Sequence, residues 1–297
     1  MLIIGSHVSY KNDTQLIGSV QEALSYKANA FMFYTGAPQN TQRGVIDDLK
    51  TYEAMNIMKE NGIKLENVIR HAPYIVNLAN DIDQEKYLFA INFLRNEIER
   101  CLTLGVKYIV LHPGSAVKLD RKFAINNIVN GLNNILVPED NIVILLETMA
   151  GKGTELGINI DELAYIIDNV ELKDKIGVCL DTCHLNDSGV DISNFDEYLE
   201  EFDKKIGIDK IGCIHINDSK NPIGAKKDRH ENFGFGTIGF DSLINVVYNE
   251  KLSKVPKILE SPYVDREYPP YKFEIEMIKN KEFNENLYND IINYYNK

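Results

Sequence analysis

All six histidines of the chain stand at or just beyond the end of a short apolar run. His7 follows Leu2–Ser6, His71 closes Val68–Arg70, and His112 closes Tyr108–Leu111. His184 lies three residues beyond the run that ends at Asp181; His215 falls inside Ile211–Asn217, and His230 in the stretch after it. Carboxylates take matching places. Glu147 ends Ile142–Leu146, Asp181 ends Val178–Leu180, Glu260 ends Lys257–Leu259, and Asp228 stands two residues before His230. A charged group that closes an apolar run is costly unless it is paired or bound to metal. One such residue could serve an arginine; three of them, beside imidazoles, predict a metal site. With His7 set aside, the candidate ligands are His71, His112, Glu147, Asp181, His184, His215, Asp228, His230 and Glu260. Catalytic zinc takes about three protein ligands and keeps a position open to water, so this set suits about three ions. Mixed nitrogen and oxygen donors favour Zn2+, admit Mn2+ or Fe2+, and disfavour calcium or magnesium. A water bridging two such ions loses its proton near neutral pH, which makes a metal-bridging hydroxide the expected nucleophile. Glu147 is the residue placed to orient it.

Groups so far apart in the chain meet only if a regular fold gathers the ends of those runs. The runs are Leu2–Ser6, Ala30–Tyr34, Val68–His71, Tyr108–His112, Ile142–Glu147, Ile176–Asp181, Ile211–Asn217 and Lys257–Glu260. Each is short and nearly continuous in apolar character, as parallel strands buried on both faces are. Amphipathic stretches lie between them: Asp47–Asn61, closed by Gly62 where a left-handed cap would fall, then about 83–104, 120–136, 161–170 and 194–206. Eight such units predict an α/β fold of one domain, a (β/α)8 TIM barrel over 1–297, with its core over about 1–263. The Lys- and Asn-rich end, 270–297, reads as a terminal helix with a frayed tail. In such a barrel the C-terminal ends of the strands form one face, where active sites are built.

With its ligands so placed, the sequence resembles endonuclease IV, the barrel family of abasic-site DNA endonucleases. The segments that carry the resemblance are His71-Ala-Pro-Tyr-Ile-Val-Asn-Leu-Ala79, Leu111-His-Pro-Gly-Ser115, Leu146-Glu-Thr148 and Gly177-Val-Cys-Leu-Asp-Thr-Cys-His184. The longest is His215-Ile-Asn-Asp-Ser-Lys220, continuing through Asp228-Arg-His-Glu231 to Gly234-Phe-Gly-Thr-Ile-Gly239. The resemblance implies three zinc ions: His71 and His112 on the first, with Glu147 bridging to the second; Asp181, His215 and Glu260 on the second; His184, Asp228 and His230 on the third. It implies hydrolysis of the phosphodiester 5′ to an abasic site, leaving a 3′-hydroxyl and a 5′-deoxyribose phosphate, and removal of blocking groups from 3′ ends. The partner would be double-stranded DNA with abasic sites or blocked 3′ ends. The family opens the duplex with a loop arginine after strand two and a Tyr–Leu pair after strand three. Here Tyr74 is kept, Ile75 replaces the leucine, and a strand-two loop of different length, Gly36–Arg43, puts Gln39 in the arginine's place. Arg229, between two ligands, is set to touch the phosphate backbone.

A net charge of −12 argues at first against nucleic acid. Three bound divalent ions would halve it and concentrate positive charge at one spot, and a phosphate in contact responds mainly to the ions beside it. The four cysteines form no CxxC pair, which fits reduced thiols in a cytoplasmic protein. No apolar run is long enough for a membrane span, no export signal is read at the N-terminus, and a monomer is expected. The rival enzyme class is a metal-dependent sugar isomerase or epimerase of the same architecture, whose sites lean on carboxylates and a catalytic lysine. The histidine-rich set favours the nuclease.

Overall fold

Each apolar run becomes a parallel strand: β1 (Ile4–His7), β2 (Ala30–Phe33), β3 (Val68–His71), β4 (Tyr108–Leu111), β5 (Val143–Glu147), β6 (Ile176–Asp181), β7 (Ile211–His215) and β8 (Lys257–Leu259). They were traced in a computed structural model that describes residues 2–296. The strands pair in chain order, and β8 returns to β1 with Ile4 opposite Lys257, Gly5 opposite Ile258 and Ser6 opposite Leu259, which closes the barrel. Closure leaves no sheet edge, and because every strand is parallel, all eight C-terminal ends open on one rim. A (β/α)8 barrel is therefore the architecture, as predicted, and the fold is a single domain.

The helices are α1 (Gln15–Ser25), α2 (Asp48–Glu60), α3 (Gln84–Thr103), α4 (Arg121–Ile135), α5 (Ile160–Asn169), α6 (Thr182–Ser188), α7 (Phe195–Lys205) and α8 (Phe240–Val247). Several start on a side chain that accepts the free backbone N–H groups of the first turn: Asp47, Asp83, Asp120, Asn159 and Asp181. Gly62 ends α2 at φ +72°, the left-handed cap that the sequence predicts. Side chains pointing into the barrel form one packed layer of Ala30, Met32, Ile69, Val110, Leu145, Cys179, Cys213 and Ile258. Those pointing outward, such as Phe31, Phe33, Leu111 and Ile144, join the larger core under the helices. Gly5 is required where β1 crosses β2, because a Cβ there would lie 1.6 Å from the Ala30 carbonyl oxygen. No helix among the described residues is long and apolar enough to cross a membrane.

Beyond Pro270 the chain forms two helices where one with a frayed end is predicted. These are α9 (Tyr271–Asn280) and α10 (Leu287–Tyr295), held to the barrel by buried Tyr271, Ile275, Ile278, Leu287 and Ile291. α9 also anchors the loop after β7. The buried Glu274 carboxylate accepts from the Phe233 backbone N–H at 2.9 Å and from the Asn232 amide at 3.0 Å. Burial pushes that carboxyl up to about 7, against the pull of the two donors. A carboxyl raised in the folded state contributes stability in full below its ordinary value, and this is lost as pH climbs through the raised one. Thermal unfolding followed from roughly pH 5 to roughly pH 8 should therefore show the wild type losing stability that Glu274→Gln retains, by at most about 3 kcal/mol. Parallel curves for the two proteins would show that Glu274 is ionised throughout.

Candidate metal centre

Alternation along β3 separates two tasks. Arg70 points outward, fully buried under α3, where its guanidinium bonds Glu97. His71, the next residue, points to the barrel axis. The other strands deliver their terminal side chains to the same space, and Glu147 at the end of β5 is its centre. One carboxylate oxygen, Oε2, lies 3.1 Å from His71 Nε2 and 3.0 Å from His112 Nε2. The other, Oε1, lies 3.0 Å from His215 Nδ1 and 3.4 Å from His184 Nδ1. Glu260 Oε2 approaches His215 Nδ1 at 3.2 Å from the β8 side. Asp228 Oδ1 sits 3.0 Å from His184 Nε2 and 3.6 Å from His230 Nε2.

Asp181 divides its carboxylate. Oδ1 caps α6 by accepting the His184 backbone N–H at 2.8 Å, while Oδ2 faces His215 and His230, each at 3.7 Å. The strand that ends in this carboxylate thus starts the helix that carries His184, and one residue fixes two ligand positions.

All nine candidate ligands meet in one cluster. His71, His112 and Glu147 bring ligand atoms within 4.8 Å of one another, as do Glu147, Asp181, His215 and Glu260. At the third group two carboxylates are in reach: Asp181, His184 and His230 bring ligand atoms within the same limit, and Asp228 lies 3.0 Å from His184 and 3.6 Å from His230. Asp228 belongs to a neighbouring group with His230 and Cys183. Asp181 therefore lies between two groups.

The donor set fits cations. Ligands about 2.1 Å from a tetrahedral ion lie roughly 3.4 Å apart, the range seen between these nitrogens and oxygens. Nε2 of His230, the atom that faces Asp181 and Asp228, is buried and has no hydrogen-bond partner. Burial opposes ionisation of Glu147, yet His215 and His112 hold its carboxyl well below the ordinary range. Burial likewise disfavours charge on His184 and His215, but Asp181 in the first case and Glu260 and Glu147 in the second raise both imidazoles well above their usual value. A site with that much negative potential attracts a cation as readily as a proton. His7 differs: burial lowers it to about 4 despite Glu260, so the ring is neutral, and it packs 4.9 Å from the Tyr34 ring.

The residues that hold the ligands are ones sequence reasoning leaves unassigned. Asn217 donates from Nδ2 to Asp181 Oδ2 at 2.7 Å and accepts the Glu260 backbone N–H on Oδ1 at 2.9 Å. The Thr148 carbonyl lies 2.9 Å from His184 Nδ1, and the Ala72 carbonyl 2.7 Å from His71 Nδ1, which would fix each ring's tautomer. Buried Asp187 accepts from Ser219, Asn221 and the Asp228 backbone N–H, the last at 2.9 Å. It steadies Asp228 in a left-handed conformation, φ +57°, that is unfavourable for a residue other than glycine. Asp218 gathers the backbone N–H groups of Gly234, Gly236 and Ile238. A Cβ at Gly236 would meet the Ser219 carbonyl at 2.3 Å, so the turn needs glycine there. The visible signal is the polar run Asn217-Asp218-Ser219 just beyond Ile216 at the end of β7, and the fold buries all three.

The four positions expected to touch DNA lie around this rim. Tyr74 is 54% exposed just beyond His71, while Ile75 is half-buried against the core. Gln39 and Arg229 are exposed. Arg43, in the same loop as Gln39, turns inward to Glu97 at 2.7 Å.

Comparison with known proteins gives this geometry a family. The chain is 50% identical over 289 residues to a probable endonuclease 4 of Mesoplasma florum, a match that covers 96% of this chain and 98% of the relative. The chain belongs to the endonuclease IV family. Residues 20–281 also match the wider family described as a xylose isomerase-like TIM barrel. Endonuclease IV from Thermus thermophilus superposes with a TM-score of 0.78 at 26% identity, over 93% of this chain and 97% of that one. A D-tagatose 3-epimerase-like protein superposes at 0.68 with 20% identity, over 99% of this chain and 100% of that one, a likeness of fold alone. In this endonuclease IV family member Asn217 joins two carboxylates through one side chain, and removing it frees both. Asn217→Ala should lower metal affinity about 10- to 100-fold, read by competition with a chelator of known affinity. Unchanged metal retention would show that Asp181 and Glu260 hold their places without it.

Proposed function

We propose that the chain is a DNA-repair endonuclease that hydrolyses the phosphodiester 5′ to an abasic site, leaving a 3′-hydroxyl and a 5′-deoxyribose phosphate. We further propose that it clears blocking groups from damaged 3′ ends. The observation that carries this reading is the single cluster of five imidazoles and four carboxylates on the barrel rim of an endonuclease IV family member. Its ligands would be His71, His112 and Glu147; Asp181, His215 and Glu260, with Glu147 shared; and His184, Asp228 and His230. Zinc suits this set best, three ions match its size, and manganese or iron could replace zinc at some positions. Bound there, such ions supply Lewis-acid activation of water and offset charge on the phosphate.

The chain's own groups do the rest. Glu147, with two oxygens facing different imidazole pairs, spans the first two ligand groups and is placed to orient the attacking water. Arg229 is exposed and stands in the chain between Asp228 and His230, which makes its guanidinium the group to contact a phosphate held at the cluster. Lys226 and Lys227, exposed on the same loop, and Lys152 on the loop after β5 extend that cationic edge. This answers the net charge of −12, because exposed charges farther than about 8–10 Å are largely screened at ordinary salt.

An abasic site offers no base to read, so selectivity would come from shape. Without stacking at the lesion, bending and flipping the sugar costs less than in intact duplex. Tyr74 and Ile75 stand beside the His71 group, where they could fill the gap in the stack, with Gln39 on the neighbouring loop. The sugar isomerase reading shares the barrel and a metal-bearing rim, but such sites lean on carboxylates where this one is rich in histidine.

A duplex carrying one abasic-site analogue should be cut once, 5′ to the lesion, by the metal-loaded protein. Prolonged chelation should abolish the cut and zinc restore it; Glu147→Gln should lose more than about a hundredfold in rate, since it removes a ligand and not merely its support. No cut by protein shown to carry metal would assign the centre to another substrate. Tyr74→Ala should weaken binding to that duplex about 5- to 100-fold while metal content stays constant. Loss of metal in that variant would make Tyr74 a structural support.

A further inference from the structure

The barrel's inner layer is apolar except for two thiols, and both lie directly beneath the ligand cluster. Cys179 on β6 and Cys213 on β7 are register partners, at the place where the pairing of these strands becomes irregular. Both are fully buried and unbridged. Each stands two residues before a ligand on its own strand, Asp181 and His215, so alternation turns all four side chains toward the axis. The two sulfurs and a nitrogen of His215 lie within 4.8 Å of one another. Nδ1 of His215 faces Glu147 and Glu260, whereas Nε2 is buried without a partner.

We propose that Cys179, Cys213 and His215 form a second, soft-metal site that takes a thiophilic cation such as Cd2+ in the floor of the nitrogen- and oxygen-lined centre. Thiolates select soft ions, while the carboxylate and imidazole groups above favour borderline ones, so the two levels differ in preference. Charge balances as well. Two thiols lose their protons to solvent on binding, and two thiolates with one divalent cation bring no net charge into the apolar layer. The spacing is compatible: sulfurs about 2.3 Å from zinc lie up to roughly 4.6 Å apart, and the longer bonds of a larger ion such as Cd2+ widen that span. Such an ion would draw on the imidazole that faces Glu147 and Glu260. A soft metal would thus disturb the rim centre from below, a consequence that rests on the reading of that centre given above.

The test titrates the purified, metal-containing protein with Cd2+ alone and follows thiolate-to-cadmium charge-transfer absorbance. Nitrogen and oxygen ligands give no such band, so exchange at the rim does not imitate it. One Cd2+ per chain should produce the band in the wild type. Cys179→Ala and Cys213→Val should each abolish it, and Cys101→Ala and Cys183→Ala should leave it intact. The cadmium NMR shift of the wild type, which needs no variant to fold, should indicate two sulfur ligands and one nitrogen. Absence of the band, or a shift typical of nitrogen and oxygen ligands only, would overturn the proposal. So would a band that survives loss of Cys179 and Cys213 but disappears with Cys183, since that places the soft ion beside Asp228 and His230.

Discussion

Burying a carboxylate at the mouth of a parallel barrel constrains everything around it. Glu147 is almost completely shielded from water, at the end of a strand whose other residues are apolar, where an uncompensated charge would cost several kcal/mol. Its two oxygens are met by imidazoles from β3, the end of β4, α6 and β7. No single neighbouring strand could supply them. The barrel can, because closure brings strands far apart in the chain to one rim at one height. The ligand cluster therefore depends on the fold, and the polar rim is tolerable only because the groups in it satisfy one another or a cation.

That compensation has to be accurate in position, and the chain secures it from behind the ligands. Asn217 fixes Asp181 and the backbone at Glu260 through opposite ends of one amide. Thr182 accepts the Asn217 backbone N–H on its hydroxyl and donates that hydroxyl to the Asn217 carbonyl. Among the described residues Asp187 and Asp218 bind no imidazole; Asp218 collects backbone N–H groups of the loop after β7, and Asp187 holds Ser219, Asn221 and the Asp228 backbone N–H. Buried acids here have two separate uses: those facing the axis face imidazoles, and those facing the loop order backbone. Both kinds are buried acids, so composition alone cannot separate them.

Legibility followed from whether a residue's role is local. The strands could be read because a run buried on both faces has to be continuously apolar, and a helix such as α2 because its cap, Asp47, and its stop, Gly62, lie within it. Ligands could be read because a histidine or glutamate at the end of such a run is locally anomalous. Asn217 is not anomalous in that way, since asparagine after a strand is ordinary, and its importance comes from partners 36 and 43 residues away in the chain. α10 was hidden for a similar reason. Its Asn- and Tyr-rich sequence is weakly patterned, and only the burial of Leu287 and Ile291 against the barrel explains its order. The position of Asp181 between two ligand groups follows from the turn into α6, which no strand pattern shows.

The same local logic bears on how an acidic protein could engage a polyanion. Many of its carboxylates lie on the outer helices, such as Asp196, Glu197, Glu200 and Glu201 on α7, and take no part in the ligand cluster. Their field at the rim is weakened by screening. The carboxylates of the cluster face imidazoles, and Arg229, Lys226 and Lys227 stand exposed on the loop that carries Asp228 and His230. Binding through so few exposed cations would give association a shallow dependence on salt, and would leave discrimination to shape and to the centre itself.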